Sequence, residues 1–213
     1  MSWGKVPKLF ASGGRAYVVG GGPSAADVDW EKLRGKAVVA CNAAGFLLPE
    51  GIVKATVVVD KRFMNLFRPR LLAMDSPVFY APTPGRPVDE KNGYAVHLKR
   101  LQSRKYWGIS EDPGVVRYNR GCGGTAINIA YLMGARELIL IGFDCSIRHG
   151  FNWHREYTDL MKADRLVTPG SEYYVGVSLA MEKVREDLER LGVLVWNTVK
   201  GTPFSYWPLE DLL

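Results

Sequence analysis

Short apolar runs alternate with stretches of helical spacing from residue 16 onward. The first run, at 16–19, has the β-branched content of a buried strand. Further strands are predicted at 37–41, 55–59, 76–80, 115–118, 138–144 and 193–196. The run Leu138-Ile139-Leu140-Ile141 is the strongest, because a continuous apolar strand belongs in the middle of a parallel sheet covered on both faces. Between the strands, 27–33 finishes a short helix. The segment 60–74 carries Phe63, Leu66, Phe67 and Leu71 at helical spacing, with Pro69 expected to break or kink it. Residues 125–133 are apolar on nearly every side and stop at Gly134, which predicts a deeply buried helix. Ser171 is expected to cap a helix whose Val177, Met181, Val184, Leu188 and Leu191 repeat at three and four until Gly192.

Two long segments break this rhythm. Residues 82–113 hold Pro82, Pro84, Pro87 and Pro113, with only a weak apolar alternation around 94–98. They read as an insertion or lid over the strand ends, with disorder as the rival. Residues 145–170 form a second irregular connection and contain His149, Trp153 and His154. The whole predicts one α/β domain over residues 1–213. Its sheet is doubly wound, mostly parallel and Rossmann-like, with helices on both faces and loop insertions at about 82–113 and 145–170. Ligands in such sheets bind outside the carboxyl ends of the strands. The polar residues falling there are Asn42, Asp60, Asn119, Arg120 and Asp144.

Two glycine-rich turns lie at the same ends. Gly20, Gly21 and Gly22 are followed by Pro23, suited to a first helical position, and Ser24, suited to a cap. The glycines allow positive φ and close approach to a ligand. A helix starting here would aim its N–H groups at an anion such as a phosphate. The second turn runs through Gly121, Cys122, Gly123 and Gly124 to Thr125. Asn42 is placed to reach a ribose or base edge, and Arg120 to meet a phosphate or carboxylate with its fork. The spacing is neither that of the full dinucleotide fingerprint nor that of the phosphate-binding loop with its lysine.

Composition narrows the class. Hydrophobic content of 47% with 23% charged residues is that of a soluble globular chain, and no apolar stretch approaches the ~20 residues of a membrane span. The first residues lack the apolar core of a signal peptide, so a cytoplasmic protein is expected. Three cysteines, Cys41, Cys122 and Cys145, are an odd number at wide spacing and read as reduced thiols. Small buried residues beside turns explain them more readily than a shared pocket. The net charge of +6 suits an anionic ligand or partner. Basic residues gather at Lys61, Arg62, Arg68 and Arg70, and again at Lys99, Arg100, Arg104 and Lys105. Nucleic acid, a phosphorylated substrate or a solvated helix face would each account for them.

The ordered set Gly20-Gly21-Gly22-Pro23-Ser24 with Asp29-Trp30, Cys41-Asn42, Arg120 before Gly123-Gly124, and 134–144 ending in Gly142-Phe143-Asp144 resembles the bacterial sialyltransferases of glycosyltransferase family 42. It is similar also to the Rossmann-like proteins of domain of unknown function 115. These include archaeal 6-hydroxymethyl-dihydropterin pyrophosphokinases and flagellin-glycosylation proteins, and small phage proteins share the skeleton. The resemblance covers roughly residues 15–60 and 115–200. It implies a cytidine monophosphate donor held by Gly20, Gly22, Pro23, Ser24 and Asn42, with Arg120, Gly123 and Gly124 lying against it. Gly21 stands where the family has Asn, and Gly123 where it has Ser. The family's catalytic histidine before the last long helix has no counterpart, since 167–178 contains no histidine.

The leading expectation is a transferase with a CMP- or UDP-type nucleotide-sugar donor and a hydroxyl acceptor on a small molecule or glycan. The nucleotide would meet Gly20, Gly21, Gly22, Pro23, Ser24, Asn42, Asp60, Arg120, Gly123, Gly124 and Thr125. His154 or His149 would act as base, with Asp144 beside them. A second expectation is a pyrophosphokinase using Asp144 and Asp60 for Mg²⁺. A third is a basic nucleic-acid-associated protein acting on modified DNA. No dedicated metal site is assigned, His97 is given no role, and the aromatic tail with Phe204, Tyr206 and Trp207 suggests a homo-oligomer.

Overall fold

The computed structural model describes residues 5–80, 93–95, 98–99, 104–145, 153–154, 171–208 and 211. Its strands are β1 (Arg15–Val19), β2 (Ala37–Cys41), β3 (Ala55–Val58), β4 (Val78–Tyr80), β5 (Gly93–Ala95), β6 (Leu98–Lys99), β7 (Val116–Arg117), β8 (Glu137–Ile141), β9 (Leu194–Asn197) and β10 (Ser205–Tyr206). The helices are α1 (Ala44–Leu47), α2 (Lys61–Leu72), α3 (Cys122–Leu132) and α4 (Ser171–Arg190), with 3-10 turns at Pro23–Ala25, Trp30–Leu33 and Arg104–Tyr106.

Eight strands form one sheet in the order β10-β9-β8-β1-β2-β3-β4-β5, and every neighbouring pair is parallel. The chain therefore winds outward from β1 through β2 to β5 on one side and from β8 to β10 on the other. The order reverses between β1 and β8, where Val19 stands opposite Ile141. A small second sheet pairs β6 with β7.

Strand alternation divides the core in two. Ala16, Val18, Val39, Cys41, Val57, Leu138 and Leu140 face α3 and α4, while Tyr17, Val19, Val38, Ala40, Ile139 and Ile141 face the connections at 25–52. Helix α3 is buried almost all round because Ala126, Ile127, Ile129 and Ala130 press on the sheet and Met181, Val184 and Leu188 of α4 close over it. Gly134 at φ 117 and Gly192 at φ 68 end α3 and α4 as expected of left-handed glycine stops.

Several boundaries differ from the sequence reading. The expected helix at 27–33 is a 3-10 turn, and α3 begins at Cys122 rather than Thr125. Ser171 is the first residue of α4. Pro69 does not end α2: it lies on the exposed side, where water can take the Asn65 carbonyl that the missing N–H leaves. The proline-rich region contributes β5 to the main sheet and β6 to the small one. The tail adds β10 beside β9.

Candidate functional site

At the reversal point the backbone ladder runs on past the strands. The Gly20 N–H donates to the Ile141 carbonyl at 2.8 Å and the Gly22 N–H to the Gly142 carbonyl at 2.9 Å. An added Cβ at either Gly20 or Gly22 would come within 2.6 Å of the Gly142 oxygen, and at Gly22 it would overlap the Asp144 carboxylate. These glycines serve close packing of two strand ends. Gly22 has φ −65, and neither it nor Gly20 or Gly21 adopts positive φ.

The turn that follows is three residues long, Pro23–Ala25, with Gly22 as N-cap. Pro23 takes the early position expected of it. Ser24 does not cap the turn. Its hydroxyl donates to Asp144 Oδ2 at 2.7 Å and its N–H to Asp144 Oδ1 at 3.3 Å. The anion at this turn is thus Asp144 itself. Trp153 adds a second lock, its backbone N–H donating to the Gly21 carbonyl at 3.0 Å and its indole N–H to the Gly20 carbonyl at 3.1 Å. The Trp153 ring leans on Trp30 at 5.4 Å and meets the edge of His154 at 5.2 Å. His154 is buried there. His149 and His97 lie outside the described residues.

The second turn is built otherwise. Asn119 at φ 48 and Arg120 at φ 63 lead into Gly121, which caps α3 without a side-chain hydrogen bond. Residues 121–123 are partly exposed. Thr125 is fully buried, and its hydroxyl bonds the Tyr118 and Gly121 carbonyls at 2.9 Å each, which holds the turn. Gly123 and Gly124 again have packing reasons: a Cβ would come 2.7 Å from the Phe143 ring at the first and overlap Asn119 at the second. The Arg120 guanidinium lies against α4, where a Cβ on Gly176 would come 2.9 Å from it.

Two buried amides, Asn119 and Asn128, hold this region in place. Asn119 accepts from the Gly108 N–H at 2.7 Å and donates to the carbonyls of Gly108 at 2.9 Å and Gly124 at 3.3 Å. Asn128 accepts from the N–H groups of Ser110 at 3.1 Å and Arg117 at 3.0 Å and donates to the Ser110 carbonyl at 2.9 Å. The end of the expected lid, 108–110, is thereby fastened to α3, and Asp187 of α4 takes the Ile109 N–H at 2.9 Å. Sequence reasoning passed over Asn128; the available signal was a lone amide within an otherwise apolar helix, since a buried amide must have partners.

Asn42 follows β2 at φ 50 and is buried beside β3, its N–H on the Val57 carbonyl at 3.0 Å. Asp60 follows β3 and caps α2, accepting from the Arg62 N–H at 2.8 Å and pairing with its guanidinium at 3.1 Å. Burial pushes this carboxyl up, but the bonds from Arg62 outweigh it and hold Asp60 below its ordinary value. Cys145, at φ 51, follows β8, and burial with the Asp144 charge pushes its thiol up to about 11. Cys41 and Cys122 do share a pocket: the Cys122 thiol donates to the Val57 carbonyl at 2.7 Å, and Val57 is the register partner of Cys41. The hydrogen bond with Cys122 and then burial hold the Cys41 thiol well above its usual range.

Elsewhere, a groove of about 630 Å³ opens at the amino ends of β3 and β4, lined by Phe46, Lys54, Met74 and Asp75 among others. It lies at the edge opposite these groups. The basic cluster of α2 is partly engaged, Arg62 with Asp60 and Arg70 over the Phe46 ring at 3.9 Å. Of the second cluster, Arg100 lies outside the described residues. Among the described residues no group of three or more His, Cys, Asp or Glu is arranged to hold a metal ion, and no helix is long and apolar enough to cross a membrane.

No family model and no curated protein matches the chain. Solved structures do match it in fold. The sialyltransferase CstII from Campylobacter jejuni in complex with cytidine-5'-monophosphate aligns with a TM-score of 0.52 at 12% identity, over 92% of this chain and 86% of that one. A variant of the same enzyme with CMP gives 0.54 at 13% identity over 90% and 85%. The monofunctional alpha-2,3-sialyltransferase Cst-I from Campylobacter jejuni gives 0.50 at 14% identity over 92% and 81%. The chain thus has the α/β fold of these sialyltransferases, which is the likeness that the ordered sequence motifs pointed to.

Proposed function

We propose that the chain is a glycosyltransferase that takes a CMP-type nucleotide-sugar donor at the carboxyl edge of its sheet. The observation that carries this reading is where the backbone is strained. All four left-handed non-glycine residues among those described, Asn42, Asn119, Arg120 and Cys145, lie on that one edge, around the start of α3. Such conformations cost about 1–3 kcal/mol each and persist where the surroundings over-determine them, typically at ligand sites. The donor class is drawn from the fold likeness, whose solved structures include complexes with CMP and with the analogue CMP-3FNeuAc.

In this reading the first N–H groups of α3, at Cys122, Gly123 and Gly124, meet the donor phosphate. Asn42 reaches the nucleoside and Arg120 answers the charge on the departing CMP. An acceptor hydroxyl oxygen attacks the anomeric carbon as the bond from that carbon to the CMP oxygen breaks. His154, packed at the edge of the Trp153 ring, and His149 are the candidates for the base that takes the hydroxyl proton. Gly20, Gly22, Pro23 and Ser24 act at one remove, by fixing Asp144 and Trp153. Transfer of a diphosphate would ask Asp60 and Asp144 to share Mg²⁺. Asp60 is bound to Arg62 and Asp144 to Ser24, and β1 and β2 stand between their strands, about 14 Å of sheet.

Calorimetric titration with CMP, UDP and ATP, each with and without Mg²⁺, tests the reading. CMP is expected to bind without Mg²⁺, and Arg120→Ala to weaken it about tenfold. ATP binding that requires Mg²⁺ would turn the assignment to diphosphate transfer. Binding of no nucleotide would end it.

A further inference from the structure

The carboxyl edge holds two thiols that glycosyl transfer does not use. Cys41 is the last residue of β2 and is buried, while Cys122 is the first residue of α3 and partly exposed. They belong to different elements and are 81 positions apart in sequence (122 − 41), yet the Cys122 sulfur sits on the Val57 carbonyl, directly beside the Cys41 position in the register of β2 and β3. Each also adjoins a residue of the proposed donor site, Cys41 next to Asn42 and Cys122 next to the glycines of the α3 turn.

We infer that Cys41 and Cys122 are a modification site, a dithiol that a peroxide converts to a reversible disulfide and that thereby disables the donor site. The chemistry balances with a hydroperoxide as the oxidant. The Cys122 sulfur, the more accessible, attacks one peroxide oxygen, the O–O bond breaks, and the departing oxygen leaves as water or alcohol with the thiol proton. Cys122 is then a sulfenic acid. The Cys41 sulfur attacks the Cys122 sulfur, the S–O bond breaks, and the hydroxyl leaves as water with the Cys41 proton. Both sulfurs are oxidised by one electron each and the peroxide is reduced by two. A thiol reductant reverses the bond by exchange.

The geometry makes the consequence local. The disulfide removes the Cys122 bond to Val57 and ties the first turn of α3 to the end of β2. Asn42 on one side and Gly123 and Gly124 on the other are then fixed at a spacing set by sulfur instead of by the donor. This regulatory part rests on the proposed function, whereas the cross-link itself does not.

The test treats the full chain with hydrogen peroxide, digests it without reductant, and maps cross-linked peptides by mass. CMP binding is measured before oxidation, after it, and after adding dithiothreitol. The expected map joins the peptide of Cys41 to that of Cys122, in wild type and in Cys145→Ser, and not in Cys122→Ser. CMP affinity should fall by about tenfold or more on oxidation and return with reductant. A map that joins Cys145 to either partner instead, or that shows only sulfinic acid at Cys122, overturns the site. A Cys41–Cys122 cross-link that leaves CMP affinity unchanged overturns the regulation. If the reduced protein takes up no CMP, the donor assignment and the regulation fall together, and the cross-link is decided by the map alone.

Discussion

The two glycine-rich turns at the carboxyl edge look alike in sequence and have opposite fates in the fold. The turn at 20–24 is filled from within: Asp144 supplies the anion, Trp153 takes the glycine carbonyls, and the helix it opens is three residues long. The turn at 121–125 opens an eleven-residue helix, has no side-chain cap, and follows two left-handed residues. Glycine content reports that backbones come close. What they come close to is decided by residues more than a hundred positions away, since Ser24 and Asp144 are separated by 120.

The difference can be broken by substitution. At the first turn Gly22→Ala drives a methyl into the Gly142 carbonyl and the Asp144 carboxylate. It should destabilise the fold by about 3 kcal/mol or prevent folding, as read from urea unfolding. Asn119→Ala strands the N–H and the carbonyl of Gly108 and should cost about 3 kcal/mol as well. Its addition to the stability loss of Gly123→Ala should be non-additive, since both act on the α3 turn.

At the second turn the methyl of Gly123→Ala meets the edge of the Phe143 ring, a side chain that can shift. The expected stability loss is about 1–2 kcal/mol, with CMP affinity falling by more than the stability does. Arg120→Ala sharpens the contrast further: exposed as it is, its loss should change stability by less than about 0.5 kcal/mol while reducing affinity. Calorimetry on the two variants checks both statements.

A further small effect concerns pH. Asp60 is held below its ordinary pKa, so the stability it contributes is present above the ordinary carboxylate value and is lost as pH falls through the lowered one. The side chain is 36% exposed, which limits this to less than about 1 kcal/mol. Cys145 has the opposite sign. With its thiol raised to about 11, the stability it contributes is whole below the ordinary thiol value and fades as pH climbs toward 11. Unfolding curves of Asp60→Asn and Cys145→Ala should flatten the acid and alkaline limbs respectively.

Much of the fold was legible. The apolar runs at 16–19, 37–41, 55–59 and 138–141 are central strands because the centre of a parallel sheet admits little else. The burial of α3 and the glycine stops of α3 and α4 followed from spacing. What the sequence hid was long-range. The weak alternation at 94–98 belongs to two different sheets, and the tail strand forms only because β9 offers an edge. At the site, Asn42 and Arg120 were legible as polar residues after strand ends, whereas their left-handed backbone was not. Ser24, Asp144 and Thr125 were legible as polar groups in the right place, but their partners are protein atoms. A short-range pattern identifies a turn and cannot say what fills it.

Hydrogen exchange of the reduced protein with and without CMP tests the central claim most directly, because it reports on both turns in one experiment. Slowed exchange at 121–125 and at Asn42, with 20–24 unchanged, is the predicted result. Slowing confined to 20–24 would mean that CMP displaces Asp144 from Ser24, and would contradict the assignment of the donor phosphate to the start of α3.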